Sequence, residues 1–187
     1  MGANAQHSFN YLKGLDQQYR AKANPLPVDH IEQPWWSGLL VQIGDSNMVC
    51  QQQLIAEVIS LPRYSYLPAA RPWVIGVANL RGEPLPLIDL SLFFNTTRRE
   101  TRNRRVLVLR QANQVLGLVV DGVHGMHRIL DDEPMRDLEC PIVACRTFAK
   151  QALMIRRKQH WFFDLKELLN DENFLNVARQ TTRVRNV

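Results

Sequence analysis

Val74–Leu90 reads VIGVANLRGEPLPLIDL: an apolar run, a sharp Asn-Leu-Arg-Gly turn, and a second apolar run interrupted by two prolines. Val77 and Leu80 flank the small or turn-forming residues Ala78 and Asn79, and Gly82 can take a positive φ at little steric cost. Leu85, Leu87, Ile88 and Leu90 then form a strand with Asp89 near its end. Taken alone, Arg81 reads as a solvated turn arginine. Pro84 and Pro86 each fix φ and remove a backbone donor, which places this strand at a sheet edge or just after a bulge. A rigid turn, a presented charge and an unpaired edge together point to a surface built for a partner.

Outward from that stretch the texture is β. Leu39 to Ile43 reads as a strand, Gly44-Asp45-Ser46-Asn47 as a hairpin turn, and Met48 to Cys50 as the start of the return strand. Leu54 to Ile59 reads as the next strand, which puts Glu57 on one face between Ile55 and Ile59. Exposure at a sheet edge accounts for that carboxylate, and pairing with Arg81 across neighbouring strands accounts for it better. Beyond Leu90 the pattern gives one helical turn over 91–94, an arginine-rich loop over 95–104, and strands at Val106–Leu109, Val115–Val120 and Val123–Ile129. Asp121-Gly122 bends the chain between the last two, or bulges one long strand. Residues 135–150 show no usable period. Ala152–Ile155 and Trp161–Phe163 read as a hairpin joined by the basic Arg156-Arg157-Lys158 turn. Asp164 caps a closing helix, with Glu167 as capping-box partner and Leu165, Leu168 and Leu169 on the buried face.

Upstream, Leu12, Leu15 and Tyr19 share one face of a short helix over 8–22. Pro25, Pro27 and Pro34 make 24–35 an extended connector closed by Trp35-Trp36, whose rings point to opposite sides. Two sets of short strands divided by a charged loop describe an all-β fold of two small packed barrels or curled sheets, not a parallel α/β sheet.

The chain has 187 residues, 45% of them apolar, enough for a sizeable core. No apolar run reaches the roughly 18–20 residues that cross a bilayer, and the first residues carry neither a secretory h-region nor a myristoylation pattern. Cys50, Cys140 and Cys145 do not form a disulfide framework. These features describe a soluble cytoplasmic protein with no membrane insertion. The net charge of +5 is concentrated in Arg98, Arg99, Arg102, Arg104 and Arg105, in Arg156, Arg157 and Lys158, and in Arg179, Arg183 and Arg185. Such clusters open a nucleic-acid reading, but here they sit in loops and tails. Trp35, Trp36, Trp73 and Trp161 lie inside apolar strand patterns instead of interleaving with charge.

Catalytic signatures are missing. No glycine spacing makes a phosphate loop, no serine sits in a nucleophile elbow, and Cys140 and Cys145 lack knuckle spacing. His124 and His127, at i and i+3 on a strand, point to opposite faces and do not share an ion. The expectation is a protein with no catalytic activity, cofactor or metal. A small basic barrel that binds single-stranded nucleic acid is the alternative, and a metalloenzyme built on His124, His127 and Cys140 is the distant third.

Asn79-Leu80-Arg81-Gly82, preceded by Gly76-Val77 and followed by Pro86-Leu87-Ile88-Asp89-Leu90, resembles the leading motif of the CheW family of chemosensory coupling proteins. Gly117-Leu118-Val119-Val120-Asp121-Gly122-Val123 resembles its second, and Trp161–Leu169 its closing strand and helix. The resemblance covers about 36–170 and implies two packed five-stranded SH3-like barrels, the first over about 36–100 and the second over about 101–165. An N-terminal extension over 1–35 and a tail over 171–187 flank them. It implies a scaffold without catalysis that joins the cytoplasmic tip of a methyl-accepting receptor to the regulatory domain of a CheA-type histidine kinase at membrane-associated arrays. On the same basis Ile55 and Glu57 fall at the partner-facing surface and Arg81 is the motif arginine, while Gly76, Val106, Gly117 and Met126 fall at or near the groove between the barrels. Arg105 and Gln151-Ala152 depart from the family pattern. The long extension with Trp35-Trp36 is similar to the branch of adaptors serving type IV pili and twitching.

Overall fold

The computed structural model describes residues 34–97, 103–111 and 114–174. The expected helix over 8–22, most of the proline connector, and the tail beyond 174 lie outside them. Twelve strands run in order: β1 (Trp35–Ile43), β2 (Ser46–Gln51), β3 (Glu57–Ser60), β4 (Tyr64–Ser65), β5 (Val74–Leu80), β6 (Glu83–Asp89), β7 (Arg105–Gln111), β8 (Gln114–Val120), β9 (Gly122–Leu130), β10 (Arg136–Asp137), β11 (Gln151–Ile155) and β12 (Lys158–Phe162). Two short helices, α1 (Leu90–Phe93) and α2 (Leu165–Asn170), follow β6 and β12.

The strands form two six-stranded sheets, ordered β3-β7-β8-β6-β5-β4 and β10-β11-β12-β2-β1-β9. In each, one outermost strand is only two residues long, which leaves the five principal strands of a small barrel. The outermost strands of each sheet are also consecutive in the chain, β3 with β4 and β9 with β10. Only Leu61–Arg63 joins the first such pair, so that sheet must curl back on itself. The result is the expected all-β pair of barrels.

The assignment of chain to barrel differs from the expectation. The first barrel consists of β3–β8, and the second of β9–β12 completed by the N-terminal hairpin β1–β2. No division near residue 100 separates them. β1 finds its second partner in β9 (Leu39 opposite Met126), and β2 runs parallel to β12 (Met48 beside Trp161). The β1–β2 hairpin is thus claimed by four strands lying elsewhere in the sequence, a choice that local pattern does not encode.

Continuous apolar runs make physical sense here because many strands are buried on both faces. Leu39, Val41 and Ile43 of β1 enter the core shared by the barrels, while Leu40 between them enters the second barrel's own interior. Likewise Leu107 and Leu109 face the shared core and Val106 and Val108 the first barrel's interior. The aperiodic 135–150 segment belongs to the shared core as well, through Cys140, Ile142, Cys145, Phe148 and Ala149, around a 3-10 turn at Val143–Cys145. Phe94 meets Phe163 edge to face at 5.8 Å. Phe174, beyond the expected domain end at 170, is buried and packs on Phe93 at 5.5 Å. Trp36 lies against Phe162 at 5.7 Å, whereas Trp35 is half exposed under the Arg128 guanidinium, 4.4 Å from the ring centroid.

Both helices are capped by an aspartate. Asp89 Oδ1 accepts from the Ser91 and Leu92 amides (3.0 and 3.3 Å), and Asp164 Oδ1 from those of Lys166 and Glu167 (2.9 and 3.1 Å). The Glu167 carboxylate pairs with Lys150 at 2.9 Å, an alternative to the expected capping box.

The edge-strand reading of β6 is also corrected. β6 lies between β5 and β8. Its contact with β8 covers only Leu87–Asp89, so Pro84 and Pro86 stand in the half registered against β5 alone and take no donor from the parallel ladder.

Candidate functional site

The β5–β6 connection is a two-residue turn with φ of 53° at Arg81 and 89° at Gly82. Positive φ at both central positions is the type I′ geometry, whose twist matches that of paired strands. The Asn79 side chain fastens it by accepting from the Gly82 amide at 2.8 Å. At Gly82 a Cβ would meet nothing within 4 Å, so the glycine serves the backbone angle and not a close contact. The turn holds the Arg81 side chain out, 74% exposed, with Nη2 2.8 Å from Glu57 Oε2.

That ion pair forms as expected, but not between adjacent strands. β3 and β6 are separated in the sheet by β7 and β8. The contact exists because the sheet closes, and it bridges the tip of the β5–β6 hairpin to the far edge. A second exposed pair, Arg110 to Glu83 at 3.0 Å, lies between β7 and β6. Behind the turn a shallow hollow of about 480 Å³ is lined by Tyr64, Ser65, Asn79 and Pro84 among others.

The remaining expected residues do not join this surface. Ile55 is 5% exposed and belongs to the shared core. It follows a 3-10 turn over Gln52–Leu54, which ends the strand pattern on that side of Glu57. Val106 is fully buried inside the first barrel. A Cβ at Gly117 would come within 2.7 Å of Val106 Cγ1 and Leu87 Cδ2, so these two expected residues touch each other beneath the surface. Gly76 has φ of 151°, and a Cβ there would stand 2.3 Å from the Ser65 carbonyl where β4 crosses. Met126 is 61% exposed, on β9 of the second barrel. Glu57 and Arg81 therefore form one surface, Met126 a separate one, and Ile55, Gly76, Val106 and Gly117 are the packing underneath.

A polar cluster inside the protein escaped the sequence reading. Arg104, 6% exposed, donates to Asp89 and lies 3.8 Å from Asp121 Oδ1. Asp121 Oδ2 accepts from the Ser91 hydroxyl at 2.6 Å and from the Gly44 amide in the β1–β2 turn at 2.7 Å. Asp121 is the residue at which the chain leaves one sheet for the other, and its amide donates to the Gln42 carbonyl at 2.9 Å. The available signal was an acidic residue ending each apolar motif, Pro-Leu-Ile-Asp and Leu-Val-Val-Asp.

His160 on β12 is buried, and its pKa is pulled below 6.5, chiefly by desolvation. Among the described residues no three His, Cys, Asp or Glu side chains gather as metal ligands, and no helix is long and apolar enough to cross a membrane. What the exposed site offers chemically is recognition: a charged fork held rigidly beside a carboxylate, over an apolar foundation.

A family model described as the CheW-like domain matches residues 37–173. Protein PilI of Pseudomonas aeruginosa is 34% identical over 178 residues, covering 94% of this chain and 99% of that protein. Chemotaxis protein CheW of Helicobacter pylori is 32% identical over 60% of this chain and 68% of its own. Among solved structures, the scaffolding protein TtCheW from Thermoanaerobacter tengcongensis shares the fold at a TM-score of 0.64 and 20% identity, covering 78% of this chain and 94% of its own.

Proposed function

The chain belongs to the CheW-like family, and we propose that it is a non-catalytic cytoplasmic scaffold joining methyl-accepting receptors to a CheA-type histidine kinase in a system that controls type IV pili and twitching. The observation that carries the reading is the near end-to-end match to Protein PilI. The Glu57–Arg81 pair supplies one docking surface. Met126 on the second barrel marks another, so receptor and kinase can be held at once. Ile55, Gly76, Val106 and Gly117 contribute by shaping the barrels beneath these surfaces. Contacts between such barrels are apolar at their centres with a polar rim, so their affinity depends weakly on salt. Binding to nucleic acid falls steeply with salt through counterion release.

The test is a reconstituted mixture of receptor, kinase and this protein. Kinase autophosphorylation becomes receptor-controlled only when all three are present, and Arg81→Ala reduces that control while leaving the melting temperature unchanged. Receptor control that persists without this protein, or survives Arg81→Ala intact, overturns the assignment or its surface.

A further inference from the structure

The two barrels follow one plan. Read as β4-β5-β6-β8-β7-β3 and β10-β11-β12-β2-β1-β9, their strand orders correspond position by position. The parallel contact falls at the same place in both, β6 with β8 and β12 with β2. An aspartate-capped helix follows β6 and β12 alike. The same interval of sequence separates Arg81 from Arg156 as separates Asp89 from Asp164. Arg156 is thus the second barrel's counterpart of Arg81.

The local geometry agrees. Leu80 pairs with Glu83 across the first turn, and Ile155 with Lys158 across the second. Arg156 and Arg157 have φ of 50° and 62°, again both positive. Two arginines hold a conformation that favours Asn-Gly, and such outliers gather at working surfaces.

The difference is the counter-charge. Arg81 is met by Glu57 on β3. The strand in the position of β3 in the second barrel is β9, GVHGMHRIL, which has no carboxylate. Arg156, Arg157 and Lys158 are exposed, and none of the ion pairs found among the described residues involves them. Next to the tip Met154 is 56% exposed.

We propose that the Arg156-Arg157-Lys158 tip is a docking site for the carboxylates of an acidic polypeptide, which supplies in trans what Glu57 supplies in cis at Arg81. A polypeptide fits better than a nucleic acid for two reasons. The corresponding arginine already takes a glutamate, and the exposed neighbour is a thioether side chain suited to apolar residues. Trp161 and Phe162 on β12 are half-buried and not presented for stacking on bases.

This inference does not rest on the coupling reading, and its test uses the full chain alone. A labelled glutamate-rich peptide and, separately, a labelled single-stranded oligonucleotide of equal charge are titrated at low salt. Replacing Arg156, Arg157 and Lys158 together by Gln is expected to weaken peptide binding about tenfold. Replacing Arg63, Arg136 and Lys166 by Gln removes the same charge elsewhere on the exposed surface and is expected to change it less than about threefold. Unchanged melting temperatures show that both variants fold. Equal losses in the two variants reduce the effect to net charge and overturn the site. Retained binding in the tip variant overturns it as well. Tighter oligonucleotide binding that is lost with the tip makes it a phosphate site and overturns the choice of partner.

Discussion

Asp121 and Gly44 belong to different turns of the chain, yet the carboxylate of one accepts from the amide of the other at 2.7 Å inside the protein. Together with Ser91 and Arg104, this contact ties the β1–β2 turn of the second barrel to the strand ends of the first. Asp121→Ala leaves the buried Ser91 hydroxyl and Gly44 amide without this acceptor, while Arg104 keeps Asp89. Asp121→Ala is expected to lower the unfolding free energy by about 2–4 kcal/mol, and Ser91→Ala by about 1 kcal/mol, in urea titrations. A loss below about 1 kcal/mol for Asp121→Ala would mean that water replaces the lost acceptor.

The exposed pair behaves differently. Arg81 is largely in solvent, so a double-mutant cycle over Glu57 and Arg81 is expected to give a coupling below about 1 kcal/mol that shrinks at high salt. A larger, salt-insensitive coupling contradicts the exposed geometry.

Ile55→Asp probes the core and not a surface. Charging a side chain that is 5% exposed in the shared core is expected to cost more than about 3 kcal/mol, enough to unfold much of the population. A melting temperature close to that of the parent protein would show that Ile55 reaches solvent.

Gly76→Ala and Gly117→Ala separate two kinds of crowding. At Gly76 the obstacle is the Ser65 carbonyl and the backbone angle is unfavourable; at Gly117 the obstacles are methyl groups that can turn aside. Gly117→Ala is expected to cost about 1–3 kcal/mol and Gly76→Ala more. The reverse order in thermal melts rejects this account.

His160 gives the pH dependence its sign. Desolvation lowers its folded pKa, with His124, His127 and Lys158 acting in the same direction, while its contact with the Lys158 carbonyl opposes them. The unfolded chain therefore takes up the proton first as pH falls through about 6.5, and stability declines from there downward. His160→Gln is expected to flatten that part of the stability–pH curve, and an unchanged slope excludes His160 as its source.

What could be read in advance followed from local physics. The turn at Arg81-Gly82, the two opposed tryptophans and the Asp164 cap each depend on a few neighbouring residues, and each is found as expected. Strand partnership depends on residues far apart, so the place of the β1–β2 hairpin in the second barrel left no local trace. Alternation in LIAEVI sets Ile55 on the face of Glu57, but a 3-10 turn interrupts that strand and Ile55 turns into the core. Arg104 was hidden among arginines of similar appearance, and only the fold tells it apart by burying it beside two aspartates.

The place of the β1–β2 hairpin in the second barrel also sets an order in time. On the ribosome β1 and β2 emerge first, but the strands that flank them in the finished sheet, β9 and β12, are among the last to be made. The first barrel, β3–β8, is contiguous and can close once β8 is made, whereas the second cannot close before β12, and distant contacts of this kind slow folding. Until β12 is made the apolar hairpin at the start of the domain lacks its full set of sheet partners, and in that interval the first barrel's side of the shared core is the surface available to cover Leu39, Val41 and Ile43.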